Sequence, residues 1–396
     1  MFDYKQFMHM VDFAYVNGSF DYAISTENGM RREIENSNLI ESIKSENSNF
    51  ELQIMISSSD CNRLRLFFKK IYIDLQKSNI DFSAFVKLYN EKIVINNEKE
   101  DIRSYGFCKI VLKDCLGNVY IDEIPITNSL IDVLEIDILK NIRSNVENIK
   151  KYNKKLSRLE FDSVSVVFSQ MAAGYFIHEI LGHSLESDFF SYYKNNFDGL
   201  KISSKLTVID SIKGFENIIG LNKYDDVGEI IKPLIVVNKG SLCNIFSIKK
   251  EDSLDGILYG FARREFYKFD VMPRMRCTFI KPFDDINEEK IISKYNTAIY
   301  FNKAYMGGVN PQNGDYNVIG NGFLLRNGEK CEFIENLKLH GNLLNDLNSF
   351  EYIGNDLKIF GNFCSKLGQT VRVAVGSPTI SLGGLSVEGN LYGRVC

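Results

Sequence analysis

The chain has 396 residues, enough for two or three domains, with 44% apolar residues, 25% charged residues and a net charge of −4. No long basic stripe is present, which argues against nucleic acid as a partner, and no uninterrupted apolar run approaches the roughly 18 residues that a membrane span needs. The opening MFDYKQFMHMVDF lacks a basic region followed by an apolar one, and the eight cysteines scatter without CxxC pairs; together these give the expectation of reduced thiols in a cytoplasmic protein.

Residues 1–60 read as short strands separated by polar breaks, with FDYAIST a strand, NGM a turn and ELQIMISSS another strand. From Cys61 to Ser78 apolar residues recur at helical spacing with basic residues between them, the pattern of a helix with one solvated face. EKIVINNEKEDIR and YGFCKIVLKD are further strands about a charged turn. A mixed α/β N-terminal domain, serving recognition or dimerisation, is expected over 1–145. Residues 146–160 shift sharply to Lys, Asn and Glu and are expected to be a charged linker helix. The remainder, 161–396, is expected to be a β-rich C-terminal domain built around one chemically loaded helix, so the fold class is α+β.

That helix contains FIHEILGH, residues 176–183, which holds two of the four histidines in the chain, His178 and His183, with Glu179 directly after the first. It follows the strand-like DSVSVVFS and sits in a proline-free apolar stretch. The familiar zinc helix places histidines at i and i+4, on one face, with the glutamate as general base. Here the spacing is i and i+5, which on a regular α-helix rotates the second ring about 140° from the first. Both reach one metal only if the turn is widened into a π-bulge, and Gly182 beside His183 weakens the preference for regular helix. Shortly after come Glu186 and Asp188, either of which could be a carboxylate that orients a ligating histidine or part of an exposed polar face.

Beyond residue 200 the pattern turns to β-branched runs. SSKLTVIDS, IIKPLIVVNKGSL and CNIFSIKK are each read as strands. Arg263, Arg264, Arg274 and Arg276 cluster around Pro273, and Arg264 and Arg274 are candidates to clamp a substrate carboxylate, with structural ion pairing as the competing use. Gly307-Gly308 and Asn313-Gly314 mark turns where a backbone can approach a ligand closely, which makes Gly307 and Gly308 candidates for substrate binding. NLLNDLNSF fits a short helix, and strands are expected over 370–375 and 379–387.

A zinc site needs a third protein ligand, and His340, the cysteines and the acidic residues all qualify by chemistry. Cys364 stands out by its setting, in a polar, Gly-flanked loop with Lys366 close enough to favour a thiolate, whereas Cys243 and Cys277 sit in apolar runs as structural cysteines do.

The segments HEILGHSLESDF, VNPQNGDY and FCSKLGQ, in this order, resemble the TldD/PmbA family of zinc metallopeptidases, as do Arg263-Arg264 and Pro273-Met275. The resemblance covers roughly residues 160–390, and the presence of HExxxH places it on the TldD side. It implies that His178, His183 and Cys364 bind Zn2+ and that Glu179 is the base. It further implies a dimer, either of two like chains or with a PmbA-type subunit, that encloses the site and hydrolyses unfolded or precursor peptides. Ser365 stands where the family usually has Gly, Arg276-Cys277-Thr278 departs from its small polar residues, and the N-terminal part matches only weakly. Two other readings of the same residues stand beside this one: a non-catalytic metal-binding partner subunit, and a metal-dependent amidohydrolase acting on non-peptide amides.

Overall fold

The computed structural model describes residues 4–16, 18–26, 31–33, 58–115, 117, 119–126, 131–152, 154–197, 200–220, 223–266, 268–310 and 312–393. The chain divides into two compact units: 1–147 with 216–228 and 266–269, and 148–215 with 229–265 and 270–396.

The first unit is a six-stranded antiparallel sheet with helices. Its strands are β1 (Tyr4–Val16), β2 (Ser19–Thr26), β3 (Arg31–Glu33), β4 (Asp81–Ile95), β5 (Lys99–Lys113) and β6 (Val119–Ile126), in the order β3-β2-β1-β4-β5-β6. Helix α1 (Ser58–Gln76) buries Leu64, Phe68, Ile71 and Leu75, one stripe at helical spacing. Phe68 meets Phe82 at 5.9 Å, and Phe82 begins a run in which Phe82, Ala84, Val86 and Leu88 alternate inward along β4. Asn96 and Asn97, both with positive φ, turn β4 into β5. The expected strand ELQIMISSS falls at 51–57 outside the described residues, as does the NGM turn, and Ser58 and Ser59 open α1.

The charged stretch 146–160 is not a single helix. Helix α2 (Ile131–Lys151) ends within it, and strand β7 (Lys154–Phe168) begins. The physical reason lies further along the strand: Leu159, Phe161, Val164 and Val166 keep the strand going by packing onto the apolar core, and the charged start of β7 is exposed.

In the second unit β7 leads into α3 (Gln170–Ile177), a π turn over His178–Gly182, a 3-10 turn over His183–Leu185 and α4 (Ser187–Phe197). Then follow β8 (Val208–Asp210), β9 (Leu234–Asn238), β10 (Ser241–Leu242), β11 (Ala262–Arg263), β12 (Met272–Pro273), β13 (Cys277–Ile280) and α5 (Glu288–Ile292). The chain closes with β14 (Thr297–Val309), β15 (Asp315–Arg326), β16 (Glu329–Asn342), α6 (Leu343–Asp346), β17 (Phe350–Ile353), β18 (Lys358–Lys366), β19 (Gln369–Ser377) and β20 (Ile380–Gly393). Two six-stranded sheets result, β16-β15-β14-β7-β20-β17 and β10-β9-β8-β13-β19-β18. CNIFSIKK forms no strand; Phe246 makes an isolated bridge with Glu186 instead.

Helix α3 lies between these sheets. Ser169 caps its N-terminus, accepting from the Ala172 N–H at 3.2 Å. On one side Phe176 packs on Phe168, which stacks on Phe301 of β14. On the other, the helix touches β19 backbone to backbone: a Cβ on Gly174 would stand 2.7 Å from the Gly376 nitrogen. Main chain cannot swing aside as a flexible side chain can. Gly174→Ala is therefore expected to cost about 1–3 kcal/mol of stability through overpacking, read as a lower midpoint in chemical denaturation. An unchanged midpoint would mean that helix and sheet do not meet there.

Candidate metal and catalytic site

The backbone of the π turn sets the site. The His183 N–H donates to the His178 carbonyl, five residues back, in place of the usual four. The wider turn brings the two rings onto one side, with centroids 4.9 Å apart and planes at 78°. Ser184 Oγ donates to the Ile180 carbonyl at 2.8 Å, a further hydrogen bond inside the same turn.

Cys364 arrives from the other sheet. It is not in a loop, as its setting in the sequence implied, but on edge strand β18, opposite Val371 of β19. The polar run that looked like a loop is a hairpin: Leu367 and Gly368, at φ 49° and 79°, form a two-residue turn, and pairing resumes at Lys366–Gln369. Cys364 Sγ lies 3.1 Å from His183 Nε2. Ligating atoms of His178, His183 and Cys364 all fall within 4.8 Å of one another, and all three residues are buried. Tetrahedral zinc, with bonds of about 2.0–2.3 Å, holds its donors roughly 3.5 Å apart, so this two-nitrogen, one-sulfur set fits such an ion. His178 Nδ1 is buried without a hydrogen-bond partner among the described residues.

The charges reinforce one another. Burial raises the Cys364 thiol, yet the His183 and His178 imidazoles carry it well below the usual thiol value. Burial lowers His183, and Glu186 and Cys364 more than reverse that, leaving it well above the ordinary imidazole. Burial pushes the Glu186 carboxyl up, but His183, Lys366 and Arg274 hold it at about 2. Glu179 behaves differently: desolvation keeps it above the ordinary carboxylate range against the pull of His183 and His178.

Glu186 and Asp188 take separate places. Glu186 Oε2 stands 2.9 Å from His183 Nδ1, whereas Asp188 pairs with Lys366 at 2.7 Å. Gly307 lies directly over Glu179: a Cβ there would be 3.1 Å from both Glu179 Cγ and Tyr175 Cε1. Gly308, the next residue of β14, faces the opposite side of the sheet, where it lines a groove of about 530 Å³ with Asn310, Asp315, Asn317 and His340. His340 is thus not part of the converging set.

Arg274 is not placed as a substrate clamp. Arg274 is fully buried, and its guanidinium donates to the carbonyls of Cys364 (2.6 Å) and Gln369 (3.3 Å), holding the hairpin rather than facing a ligand. Arg263 donates to the Met275 carbonyl, and Arg276 is locked to Asp210 at 2.8 Å. Arg264 is half-buried.

Tyr175 escaped the sequence reading. Its phenol faces Glu179 and is raised by burial and by that carboxylate. A signal was available: four residues before Glu179, it sits on the same helix face.

The family model of the PmbA/TldA metallopeptidase C-terminal domain matches residues 162–389. The chain belongs to the PmbA/TldD family. A zinc metalloprotease TldD homolog of Saccharolobus solfataricus is 28% identical over 325 residues, which cover 78% of this chain and 71% of that protein. A metalloprotease of Methanothermobacter thermautotrophicus is 27% identical over 231 residues, 57% of this chain and 50% of the relative. The chain thus matches only about half the length of several such relatives. Among solved structures, a putative modulator of DNA gyrase from Thermotoga maritima superposes with a TM-score of 0.65 at 14% identity, covering 98% of this chain and 95% of that one. TldE from Thermococcus kodakarensis gives 0.64 at 12% identity, covering 97% and 95%. These two likenesses establish the fold. No helix among the described residues is long and apolar enough to cross a membrane.

Removing one of three converging donors should empty a metal site. Metal analysis of purified variants is expected to find most of the bound metal lost in Cys364→Ala and retained in Cys243→Ala, whose thiol is exposed. Equal metal content in both would strike Cys364 from the donor set.

Proposed function

We propose that this chain is a TldD-type zinc metallopeptidase that hydrolyses peptide bonds in unfolded or precursor peptides. The observation that carries the reading is the buried convergence of His178, His183 and Cys364, with Glu179 between the histidines in sequence. His178, His183 and Cys364 would hold Zn2+, which when bound supplies Lewis-acid polarisation of the scissile carbonyl.

The chain's own groups supply the proton handling. Glu179 takes a proton from the attacking water and returns it to the leaving amine. Its partial desolvation keeps it more basic than an exposed carboxylate, which favours that exchange. Tyr175 bounds the carboxylate on one side, and the bare backbone at Gly307 leaves the space above it free of a side chain.

Strand β14 at Gly307 offers main chain beside Glu179, so an extended substrate is held by backbone hydrogen bonds with little selection among side chains. The protein acts in the cytoplasm as a homodimer or with a PmbA-type subunit, and the N-terminal unit serves dimerisation. An intact glutamate beside the metal donors favours an enzyme over a silent metal-binding subunit, since a purely structural site has no use for that carboxylate.

Glu179→Gln retains all three donors and the shape of the side chain. Zinc content is expected to be unchanged while peptide hydrolysis falls by about 10²–10⁴-fold; near-normal turnover would remove Glu179 as the base. Substrate choice is tested with a disordered peptide and the same sequence locked in a stable fold. The disordered form should be cut and the folded one resist, because its backbone groups are already paired. Similar rates for both would contradict capture of an extended chain.

A further inference from the structure

Lys366 is an unusual residue to bury. It is 6% exposed, two positions beyond Cys364 on the same face of β18. A lysine out of water costs free energy unless its charge and its donors are matched. Here all three ammonium donors have acceptors: Glu186 Oε2 at 2.8 Å, Asp188 Oδ1 at 2.7 Å and the Pro273 carbonyl at 3.4 Å. Phe189 covers it, with the ring centroid 4.4 Å from Nζ.

The partner that matters is Glu186, which has no exposed surface. The same Oε2 that accepts from Lys366 faces His183 Nδ1, and its Oε1 accepts from the Met275 N–H at 3.3 Å. Its backbone is pinned as well, by the bridge to Phe246. In the neutral ring, a carboxylate at Nδ1 places the proton there and leaves Nε2, 3.1 Å from Cys364 Sγ, with its lone pair toward the donor cluster. His178 has no such carboxylate: its Nδ1 finds no partner among the described residues.

We propose that Lys366 is a positioning residue for the metal site, coupling the strand that carries Cys364 to the carboxylate that orients His183. The thiol comes from a sheet strand and the imidazole from the turn that ends the helix, at positions 181 residues apart. Apart from the donors themselves, the Lys366–Glu186 pair is a direct side-chain link between the strand that bears the thiol and the chain segment that bears the imidazole. The lysine does not serve chiefly to activate the thiol beside it, because its donors are spent on Glu186, Asp188 and Pro273. This inference rests on the metal reading above.

The test loads the full chain with cobalt(II) as probe, follows its thiolate charge-transfer and visible bands, and times metal release into excess chelator. Lys366→Met keeps chain length and removes the charge. Release is expected to quicken by about 10–100-fold, the usual consequence of losing an outer partner of a ligand, with shifted visible bands. Ser365→Ala, on the exposed side of the same strand, should change neither. A folded Lys366→Met protein with unaltered bands and unaltered release overturns the proposal, because loss of mere packing would lower stability without moving the cobalt spectrum. Should that variant fail to fold, Glu186→Gln removes the other half of the pair at constant shape, and the same two readouts decide. A wild-type chain without thiolate–cobalt absorption would overturn the metal reading and this inference together. A wild-type chain that has it, beside unaltered variants, overturns this inference alone.

Discussion

The site depends on one close contact. Helix α3 is pressed against β19 where Gly174 meets Gly376, and neither position leaves room for a Cβ. That contact, with Phe176 packed on Phe168 and Phe168 stacked on Phe301 on the opposite side, sets how the helix lies between the sheets. Once it is set, the C-terminal end of the helix has a defined place, and the five-residue gap between His178 and His183 must be absorbed there. A π turn absorbs it. Such turns are disfavoured on their own and persist where the surroundings over-determine them; here the turn is buried throughout and Met275 packs against it at Gly182.

Packing brings the groups together, and their electrostatics explain why the arrangement holds. Cys364, His178, His183, Glu179, Glu186, Lys366 and Arg274 are all buried. Isolated, each would be costly; as a network, each charge is another's counter-ion. The network also separates two carboxylates by charge state. Glu186, ringed by His183, Lys366 and Arg274, is held strongly ionised. Glu179 is drawn down by His183 and His178 but lifted further by desolvation, so it stays above the ordinary carboxylate range. Two glutamates seven residues apart thus acquire different chemistry from their surroundings alone.

Much of this was legible in the chain. The HExxxH spacing demands a widened turn because helix geometry ties sequence offset to angle, and that arithmetic needs no fold. Alternation along β4, helical spacing in α1 and the unbroken apolar stretch before His178 likewise announce their elements, since each buries one face or is buried all round. The resemblance of three separated motifs singled out Cys364 before any geometry was known. Readings failed where local composition was judged without its tertiary setting. The Gly-flanked run around Cys364 looked like a loop, but a two-residue Leu367-Gly368 turn folds polar sequence into a hairpin whose edge position tolerates it. CNIFSIKK has strand composition, but its one ladder contact is the bridge from Phe246 to Glu186.

What the sequence determined by itself was the set of candidate donor types, their order and the need for a distorted helix if both histidines are to face one point, because these follow from residue chemistry and from angles along one element. The tertiary structure alone decided which distant groups meet. It assigned Glu186 to His183 and Asp188 to Lys366, turned Arg274 from a candidate clamp into a holder of the Cys364 and Gln369 carbonyls, and put Gly307 and Gly308 on opposite faces of one strand. Those outcomes depend on how two sheets and a helix pack, and side chains brought together from opposite ends of a domain leave no periodicity in the chain that joins them.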